Sequence, residues 1–384
     1  MSRFWSKGIA VVALAAAVGL WGLPVSLAKP PGGGGGGGNP GPSYTIVALN
    51  NEWDGQVWET GCEDLNDSRA CVGNITGSDP STGARITLAA YWAADNTLTP
   101  LRGNATHAKS INNAGEIVGI GTDSGGNFVG LYWPNADAEP IPLPRVDGDD
   151  YSLPVKINDQ GIICGGSTVL DENGVREYQH AVLWHVTNGQ IAGPVSLPSG
   201  GFDVIVPQSL NNVDAGGMFQ VVGHSVSPPV AVTWDVLVLA DGTLLPFGMS
   251  VLDVPSYAMG ISDNYLICGD VQGVYYPGSW AAVVWTGNVP QPLRLLPDAT
   301  QSEALDINAT GAVAGTLWFP DSSRGKNRGL YAVVWPDPNS APILLNSFLA
   351  KGSPLIRLNY AAAINAGGAI VGSANGGAFL AIPK

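Results

Sequence analysis

A nine-residue motif that recurs along the chain restricts the fold more than any other feature. It reads INNAGEIVG at Ile111–Gly119 and INAGGAIVG at Ile364–Gly372. Alignment gives seven units, in which a turn residue precedes a glycine by seven positions, with five extra residues in the fourth turn. The turn residues are Asn66, Asn112, Asn158, Asn211, Ser262, Asn308 and Asn365, and the glycines are Gly73, Gly119, Gly165, Gly223, Gly269, Gly315 and Gly372. So regular a spacing indicates a repeat architecture.

Each unit has the pattern of short β-strands joined by turns. The Asn-rich turn tolerates left-handed backbone or bonds its own main chain. The segment that ends in the motif glycine returns antiparallel, which predicts a hairpin, and the glycine allows a neighbouring backbone to approach closely. A further apolar strand ends in a tryptophan in six units, and we expect it to fill the space between adjacent sheets. These tryptophans are Trp92, Trp133, Trp184, Trp234, Trp285 and Trp335.

The length of the unit and the two ends of the repeat region predict how the units assemble. The units recur every ~50 residues, which fits four strands and the blade of a β-propeller. Tyr44–Leu49 reads YTIVAL, a lone strand before the first unit, and the last unit reaches Lys384 without an outer strand. Pairing the two removes an exposed sheet edge. We therefore predict an all-β fold, a seven-bladed β-propeller closed by pairing the N-terminal strand with the last blade.

The residues before this region predict an exported protein. Basic residues precede an apolar run that ends in small residues around Ala28, the layout of a secretory signal peptide. The next stretch reads KPPGGGGGGGNPGP and cannot bury apolar surface. We predict a signal peptide over 1–28 with cleavage near Ala28, a disordered linker over 29–42 and the propeller over 43–384. The protein is expected to be secreted, periplasmic or at the cell surface.

The charge balance excludes two classes of partner. The formal net charge is −14, and only 12% of the residues are charged. Nucleic acids and anionic membranes both require clustered Lys and Arg, so neither is expected to bind, and no insertion into a membrane is expected. The composition is compatible with neutral glycans, metal cations or other proteins as extracellular ligands. We expect no cofactor. Calcium is the metal ion that an acidic surface of this kind could accommodate.

The four cysteines fall into two groups. Cys62 and Cys71 flank the first predicted hairpin at nearly opposite positions, so a disulfide is predicted there in an oxidising compartment. Cys164 and Cys268 each directly precede a motif glycine in units that are not neighbours. We interpret them as small buried hydrophobic residues.

The repeat pattern resembles a known family. The sequence A-x-x-IN-x-x-G-x-IVG, followed by a HAF-like strand, is similar to the HAF-family "probable extracellular repeat" of secreted bacterial proteins. His180–Trp184 and Gly377–Leu380 carry the second half of that signature. The resemblance spans nearly all of 44–384 and implies export and a repeat fold. It implies no catalytic residues. This chain departs from the pattern at Ser262, which replaces the turn asparagine, and in lacking most of the usual histidines.

Acidic and aromatic residues gather in the connections between units. We expect the connections from one unit's outer strand to the next unit's first strand to lie at one rim, where aromatic faces beside carboxylates suit sugar or cation binding. Acidic solvent loops with aromatics tucked against the rim would give the same pattern. The candidate rim residues are Trp53, Asp54, Trp58, Glu59, Asp149, Asp150, Tyr151 and Tyr257, with Glu303 and Tyr360 in corresponding connections further along.

A second candidate set lies two residues before the turns. Asp64, Lys156 and Asp306 occupy this position in units 1, 3 and 6, and period-two geometry places them near the central axis. The two aspartates could share an ion or a water, or pair with Lys156. Residues at such positions also commonly satisfy neighbouring main-chain groups.

Two functions from different classes fit these features. The first is a secreted, non-enzymatic binding or scaffold propeller that recognises a glycan, cation or protein through its acidic, aromatic rim. The alternative is a glycan-cleaving enzyme with carboxylates in the central funnel. The chain contains no H-E-x-x-H and no G-x-S-x-G motif, and the regularity of the units favours binding. Two partly buried funnel carboxylates with raised pKa values would instead favour the enzyme.

Overall fold

The computed structural model describes residues 42–79, 81–171, 176–275, 279–320 and 329–384. The predicted signal peptide and the linker up to residue 41 lie outside the described residues. The predicted all-β class is confirmed, since the one helix in the described part is the 3₁₀ turn Leu345–Phe348. In that same part of the chain, no helix has both the length and the apolar character needed to cross a membrane.

The strands follow the repeat units. Unit 1 is preceded by β1 (Tyr44–Ala48), β2 (Glu52–Trp53) and β3 (Gln56–Val57). Units 1 to 3 contain β4 (Glu59–Leu65), β5 (Cys71–Ser78), β6 (Arg85–Trp92), β7 (Leu98–Pro100), β8 (Ala105–Ile111), β9 (Ile117–Thr122), β10 (Phe128–Trp133), β11 (Ile141–Pro142), β12 (Tyr151–Ile157), β13 (Ile162–Leu170), β14 (Arg176–Thr187) and β15 (Gln190–Ser196). Units 4 and 5 contain β16 (Ile205–Leu210), β17 (Met218–Val226), β18 (Pro229–Val238), β19 (Leu244–Ile261), β20 (Ile267–Gln272), β21 (Trp280–Thr286) and β22 (Val289–Pro292). Units 6 and 7 contain β23 (Gln301–Ile307), β24 (Val313–Phe319), β25 (Gly329–Trp335), β26 (Ile343–Leu344), β27 (Arg357–Ile364), β28 (Ile370–Asn375) and β29 (Gly377–Pro383).

Every unit forms an antiparallel sheet in chain order. Units 1, 2, 3 and 6 are separate four-stranded sheets. Units 4 and 5 form one seven-stranded sheet, because the long strand β19 pairs with β18 through its first part and with β20 from Ser256 onward. In unit 7 the order is β1-β29-β28-β27, so the N-terminal strand supplies the outer strand of the last unit. Tyr44 lies opposite Pro383 and Ala48 opposite Phe379 in this pair.

The hydrophobic core lies between units. Each apolar cluster draws side chains from two consecutive units, and one cluster joins Val371 and Leu380 of unit 7 to Trp92 of unit 1. The six repeat tryptophans are buried, as expected for anchors between sheets. Five of them donate their indole N–H to a carbonyl of the chain that precedes their own unit; Trp184, for example, donates to the Pro144 carbonyl at 2.7 Å.

The turn residues join neighbouring units by hydrogen bonds. Asn66 donates its side-chain amide to the Asn112 carbonyl at 3.1 Å, and the same bond recurs from Asn112 and from Asn158 to the next turn. In unit 7, Asn365 donates to the Asn66 carbonyl at 3.0 Å, which connects the last turn to the first. Ser262 is too short to continue this series. The turns surround a cavity of about 160 Å³ at their end of the central channel.

The motif glycine is required because the innermost strand of its own unit passes too close for a side chain. In unit 6, a Cβ at Gly315 would clash with the Glu303 carbonyl oxygen, and each of the other motif glycines meets the corresponding carbonyl. We predict that Gly315→Ala lowers the free energy of unfolding by about 3 kcal/mol, measured by urea denaturation. Gly367→Ala is the matched control, because a Cβ there meets only an ordinary contact at 3.5 Å. Equal stability of both variants would contradict this account.

Candidate functional site

The innermost strands place one column of side chains along the channel wall. Every innermost strand has a bulge between the residues four and two positions before its turn residue, so the residue five positions before the turn faces the same side, toward the channel, as the residue two positions before it. The column reads Gly61, His107, Leu153, Val206, Tyr257, Glu303 and Tyr360 from unit 1 to unit 7. The column therefore lacks a side chain in unit 1, is apolar in units 3 and 4, and carries imidazole, aromatic and acidic groups in units 2, 5, 6 and 7. In units 5 to 7, the side chains at this position differ most from those expected of a repeat that has only a structural role.

A carboxylate pair lies between units 5 and 6. Asp270, the first residue after the motif glycine of unit 5, is 6% exposed and accepts the Ala304 N–H of unit 6 at 2.9 Å. Burial, reinforced by the nearby charge of Glu303, raises the pKa of Asp270 well above its ordinary value. Glu303 is half-buried, and burial raises its pKa as well. Within the described residues neither carboxylate forms an ion pair with Lys, Arg or His. The pair therefore holds protons more firmly than ordinary carboxyl groups.

Aromatic side chains and a histidine surround this pair. Tyr257, opposite Asp270 in the strand register, stacks on Trp280 with ring centroids 4.8 Å apart. The His224 ring of unit 4 meets Tyr257 edge to face at 4.5 Å. Burial lowers the pKa of His224 to about 4, so its imidazole is neutral near pH 7, and its Nδ1 is buried without a hydrogen-bond partner. Tyr360 of unit 7 lies within electrostatic range of Glu303. These six residues, His224, Tyr257, Asp270, Trp280, Glu303 and Tyr360, are the acidic-aromatic cluster.

The candidate channel residues form a separate group nearer the turns. Lys156 reaches from unit 3 to Asp64 of unit 1, with its Nζ 2.8 Å from Asp64 Oδ1. The other oxygen of Asp64 accepts the Ser110 hydroxyl at 2.6 Å and the Ile111 N–H at 3.2 Å. Asp64 therefore satisfies the main chain of the next unit while it pairs with the lysine.

Asp306 occupies the equivalent position in unit 6. Its Oδ2 accepts the Ile364 N–H of unit 7 at 2.9 Å. Burial raises the pKa of Asp306, and Lys156 opposes that rise. Burial alone lowers the pKa of Lys156, but Asp64 and Asp306 together raise it above its ordinary value. The three charged groups thus face one another across the channel. Both aspartates accept main-chain hydrogen bonds from the next unit, and these bonds hold adjacent innermost strands together.

The rim candidates of unit 1 do not form an open binding face. Trp58 is 2% exposed, and its indole N–H donates to the Trp53 carbonyl at 3.1 Å. Trp58 belongs to the core between units 7 and 1, so the prediction that it offers a face to a ligand is wrong. Trp53 is half-buried against the Trp58 ring at 5.4 Å. Asp54 is exposed, and Glu59 forms an exposed ion pair with Arg85 at 2.6 Å.

The rim candidates of unit 3 are engaged with their own surroundings. Asp149 is buried, with its Oδ2 3.0 Å from His180 Nδ1. Asp150 accepts the Leu170 N–H at 2.7 Å, and the Tyr151 ring lies 6.0 Å from that of Phe128. No hydrogen bond, ion pair or ring contact in the described part of the chain joins these residues to the unit 1 candidates. Of the predicted rim residues, Tyr257, Glu303 and Tyr360 lie in the acidic-aromatic cluster.

The cysteines are all buried thiols. Burial and the adjacent Cys71 thiol raise the pKa of Cys62 well above its ordinary value. The two thiols are neighbours across the first hairpin but are not joined, so the disulfide stays a prediction for an oxidising compartment. Cys164 and Cys268 are fully buried, as expected for small hydrophobic side chains, and burial raises the pKa of Cys164 to about 12.

Sequence reasoning missed half of the acidic-aromatic cluster. Glu303 and Tyr360 were grouped with the rim, and Asp270, His224 and Trp280 were not singled out. One signal was available: the residue directly after the motif glycine is acidic only in unit 5.

The structure gives no support to a calcium site. No group of three His, Cys, Asp or Glu side chains that could hold a metal occurs among the described residues.

Comparison with solved structures identifies the fold. The chain matches the β-propeller domain of the trilobed protease from Pyrococcus furiosus with a TM-score of 0.50 and 10% identity, over 82% of this chain and 89% of that one. It also matches acylaminoacyl peptidase from Pyrococcus horikoshii (TM-score 0.49, 9% identity, 86% and 49% covered) and a putative gluconolactonase (TM-score 0.40, 12% identity, 90% and 93% covered). The chain spans about half the length of the peptidase. No family model and no curated protein sequence matches it.

The fold is therefore that of a β-propeller. The comparison contradicts the expectation of a non-enzymatic binding or scaffold protein, because the propeller that the chain matches is a domain of a protease. At 10% identity the likeness establishes the fold alone, so the reaction has to be inferred from the site.

Proposed function

We propose that the protein is a glycan-cleaving hydrolase in which Asp270 and Glu303 carry out the reaction. The observation that carries this proposal is the desolvated carboxylate pair in the channel wall, with a raised pKa on both members. Strongly perturbed carboxylates in a cleft are typical of catalytic acids and bases. A pair of carboxyl groups that flank the scissile bond is the usual equipment for cleaving a glycosidic bond.

Asp270 has the properties of the general acid. It is the more deeply buried of the two, and its pKa is raised further because a second carboxylate lies close by. The carboxyl group therefore keeps its proton to higher pH than an ordinary aspartic acid and can transfer it to the glycosidic oxygen as the bond to the anomeric carbon breaks. The leaving sugar departs as an alcohol, and Asp270 is left as a carboxylate that a later proton transfer restores.

Glu303 is placed to act on the other side of the reaction. It is more exposed than Asp270, and its raised pKa has burial as its main cause. As a carboxylate it either attacks the anomeric carbon, forming a glycosyl ester that water then hydrolyses, or takes a proton from a water that attacks directly. In both cases water supplies the new hydroxyl group. Tyr257 and Trp280 add aromatic surface beside the pair, which suits the apolar face of a sugar ring.

We also propose that seven blades form a closed ring around this site. Three features support it: the pairing of β1 with β29, the core cluster between units 7 and 1, and the Asn365 to Asn66 hydrogen bond. A closed ring holds units 5 and 6 at a fixed separation, so that Asp270 and Glu303 keep the geometry needed for catalysis. Export of the protein remains a proposal that rests on the residues before 43.

The test is an assay for reducing-sugar release from a panel of soluble polysaccharides and aryl glycosides. We expect the full-length protein to cleave at least one of them. The activity should fall on the acidic side as Glu303 gains a proton and on the alkaline side as Asp270 loses one. Glu303→Gln should reduce kcat by about 10³-fold.

Glu139→Gln is the matched control, because Glu139 is an exposed carboxylate that pairs only with Arg102 at 3.3 Å on the surface. It should retain full activity. Absence of cleavage across the whole panel, with the protein folded, would overturn the proposal. Cleavage that survives Glu303→Gln unchanged would remove this residue from the mechanism.

A further inference from the structure

The acidic-aromatic cluster contains two carboxyl groups, and no cation of the described structure pairs with either of them. Burial raises the pKa of both groups, Asp270 and Glu303. Lys156, a cation of the channel, is already held by Asp64 at the turn end. The net charge of the whole chain, −14, also attracts cations toward the channel. A positively charged ligand would pair with these carboxyl groups.

Unused acceptors at the same place define the kind of cation. Nδ1 of the neutral His224 is buried without a partner. Thr316, which lies opposite Glu303 in the strand register, is 1% exposed and has an unpaired hydroxyl. His224 and Thr316 stand at the same repeat position as Asp270, one unit to each side. A ligand group with several N–H donors and no acceptor would match carboxylates, an imidazole nitrogen and a hydroxyl oxygen.

The aromatic rings favour an organic cation over a metal ion. Tyr257 and Trp280 stack at 4.8 Å, Tyr257 lies opposite Asp270 in the strand register, and Tyr360 lies near Glu303, so aromatic side chains adjoin both carboxyl groups. Ammonium groups are attracted to such faces by up to ~2 kcal/mol when desolvated. Metal ions such as calcium instead need six to eight oxygen ligands. No group of three potential metal ligands occurs in the described part of the chain.

We propose that the acidic-aromatic cluster binds a protonated primary amine on a sugar ring, so that the substrates are glycans with free amino groups. The inference rests on the proposed hydrolase activity and specifies its substrate class. The ammonium group would pair with Glu303 and lie against the aromatic rings of the cluster. Binding it there would also place the sugar against the carboxylate pair that cleaves the neighbouring bond.

The experiment compares three soluble oligosaccharide series of equal length: glucosamine, N-acetylglucosamine and glucose oligomers. Acetylation removes the charge and keeps the ring, so the first two series isolate the ammonium group. We expect kcat/KM to be about 30-fold higher for glucosamine oligomers, the factor that ~2 kcal/mol supplies. Trp280→Leu should reduce this preference, because it should lower kcat/KM more for glucosamine oligomers than for glucose oligomers.

Titration calorimetry with the glucosamine tetramer separates failure of this inference from failure of the hydrolase proposal. Cleavage of the neutral or acetylated series as fast as the amino series would overturn the amine site and leave the hydrolase intact. Binding of the tetramer without cleavage of any series would support the amine site and overturn the hydrolase. Neither binding nor cleavage of the amino series would overturn the amine site. Thermal unfolding of Trp280→Leu establishes that the variant is folded.

Discussion

Asp270→Asn is expected to abolish glycan cleavage and, at the same time, to stabilise the protein. Asparagine has the same shape and can still accept the Ala304 N–H through its side-chain oxygen, so the strand contact survives. The variant has no proton to donate to the leaving group, and kcat should fall by about 10³-fold. Because asparagine is neutral without a bound proton, the free energy of unfolding should rise by about 1 kcal/mol near pH 7.

The pH dependence of the stability gain identifies its cause. The folded protein holds the Asp270 proton more firmly than the unfolded chain, since its pKa is raised well above 3.8. Stability from this group is therefore fully present below 3.8 and is lost as the pH rises through the raised pKa of the folded state. The Asn variant does not have this loss. Its advantage should be absent at pH 3, grow as the pH rises and become constant above the folded-state pKa.

Urea denaturation of both proteins across this pH range, together with the sugar-release assay, measures the two effects. Asp235→Asn is the control: Asp235 accepts the Gln220 side-chain amide at 2.9 Å and lies outside the cluster. It should change neither activity nor the pH dependence of stability. A loss of stability in Asp270→Asn would show that the carboxylate is there to hold strands together. An unchanged kcat would exclude it as the acid.

If Asp270→Asn loses activity and gains stability, the carboxyl group of Asp270 serves the reaction and does not serve the stability of the fold. Asp64 and Asp306 provide the contrast within the same channel. Each also accepts a main-chain N–H from the next unit, but Lys156 lies close enough to compensate both charges. Asp270 and Glu303 have no such cation beside them in the described structure. The same residue type at related positions of a repeat can therefore serve the fold in one place and chemistry in another.

The repeated part of the sequence predicted the fold well because it encodes local contacts. The spacing of turn residue and glycine fixes a hairpin within one unit, and Gly315 shows why no other residue fits there. The pairing of Tyr44–Ala48 with the last unit was also predicted, because the missing outer strand left one vacant position for it. The merging of units 4 and 5 through β19 was not predicted, since nothing in the sequence marks a strand that serves two sheets.

The site was harder to predict because it depends on contacts between units. Trp58 reads as an exposed aromatic residue in an acidic connection, but packing against unit 7 buries it. Asp270 reads as one polar residue in an apolar strand. Its raised pKa arises only when unit 6 covers it and brings Glu303 close. Neither the depth of burial nor the neighbour across the unit boundary can be read from one unit's sequence.

Removal of β1 is expected to have the largest effect on stability. A chain that begins at Pro42 keeps the strand, whereas a chain that begins at Asn50 loses it. The shorter chain loses the buried side chains of Tyr44 and Leu49 (4% and 5% exposed), and β29 becomes an open edge. Burying two such side chains contributes about 4 kcal/mol. Since domains have 5–15 kcal/mol in total, the shorter chain should unfold at much lower urea concentration.

Rescue by a peptide distinguishes loss of the strand from general damage. A synthetic peptide of residues 43–49 should add to the open edge of β29 and restore the urea midpoint, because strand addition uses the main-chain hydrogen bonds that β1 makes. The Leu49 N–H donates to the Ala378 carbonyl, and alternation along the strand directs the Thr45 N–H to the same side. The same peptide with Thr45→Pro lacks that donor and should rescue poorly. An equal urea midpoint for the chains that begin at Pro42 and at Asn50 would show that the ring does not depend on this closure, and the proposed closed arrangement of seven blades would then fail.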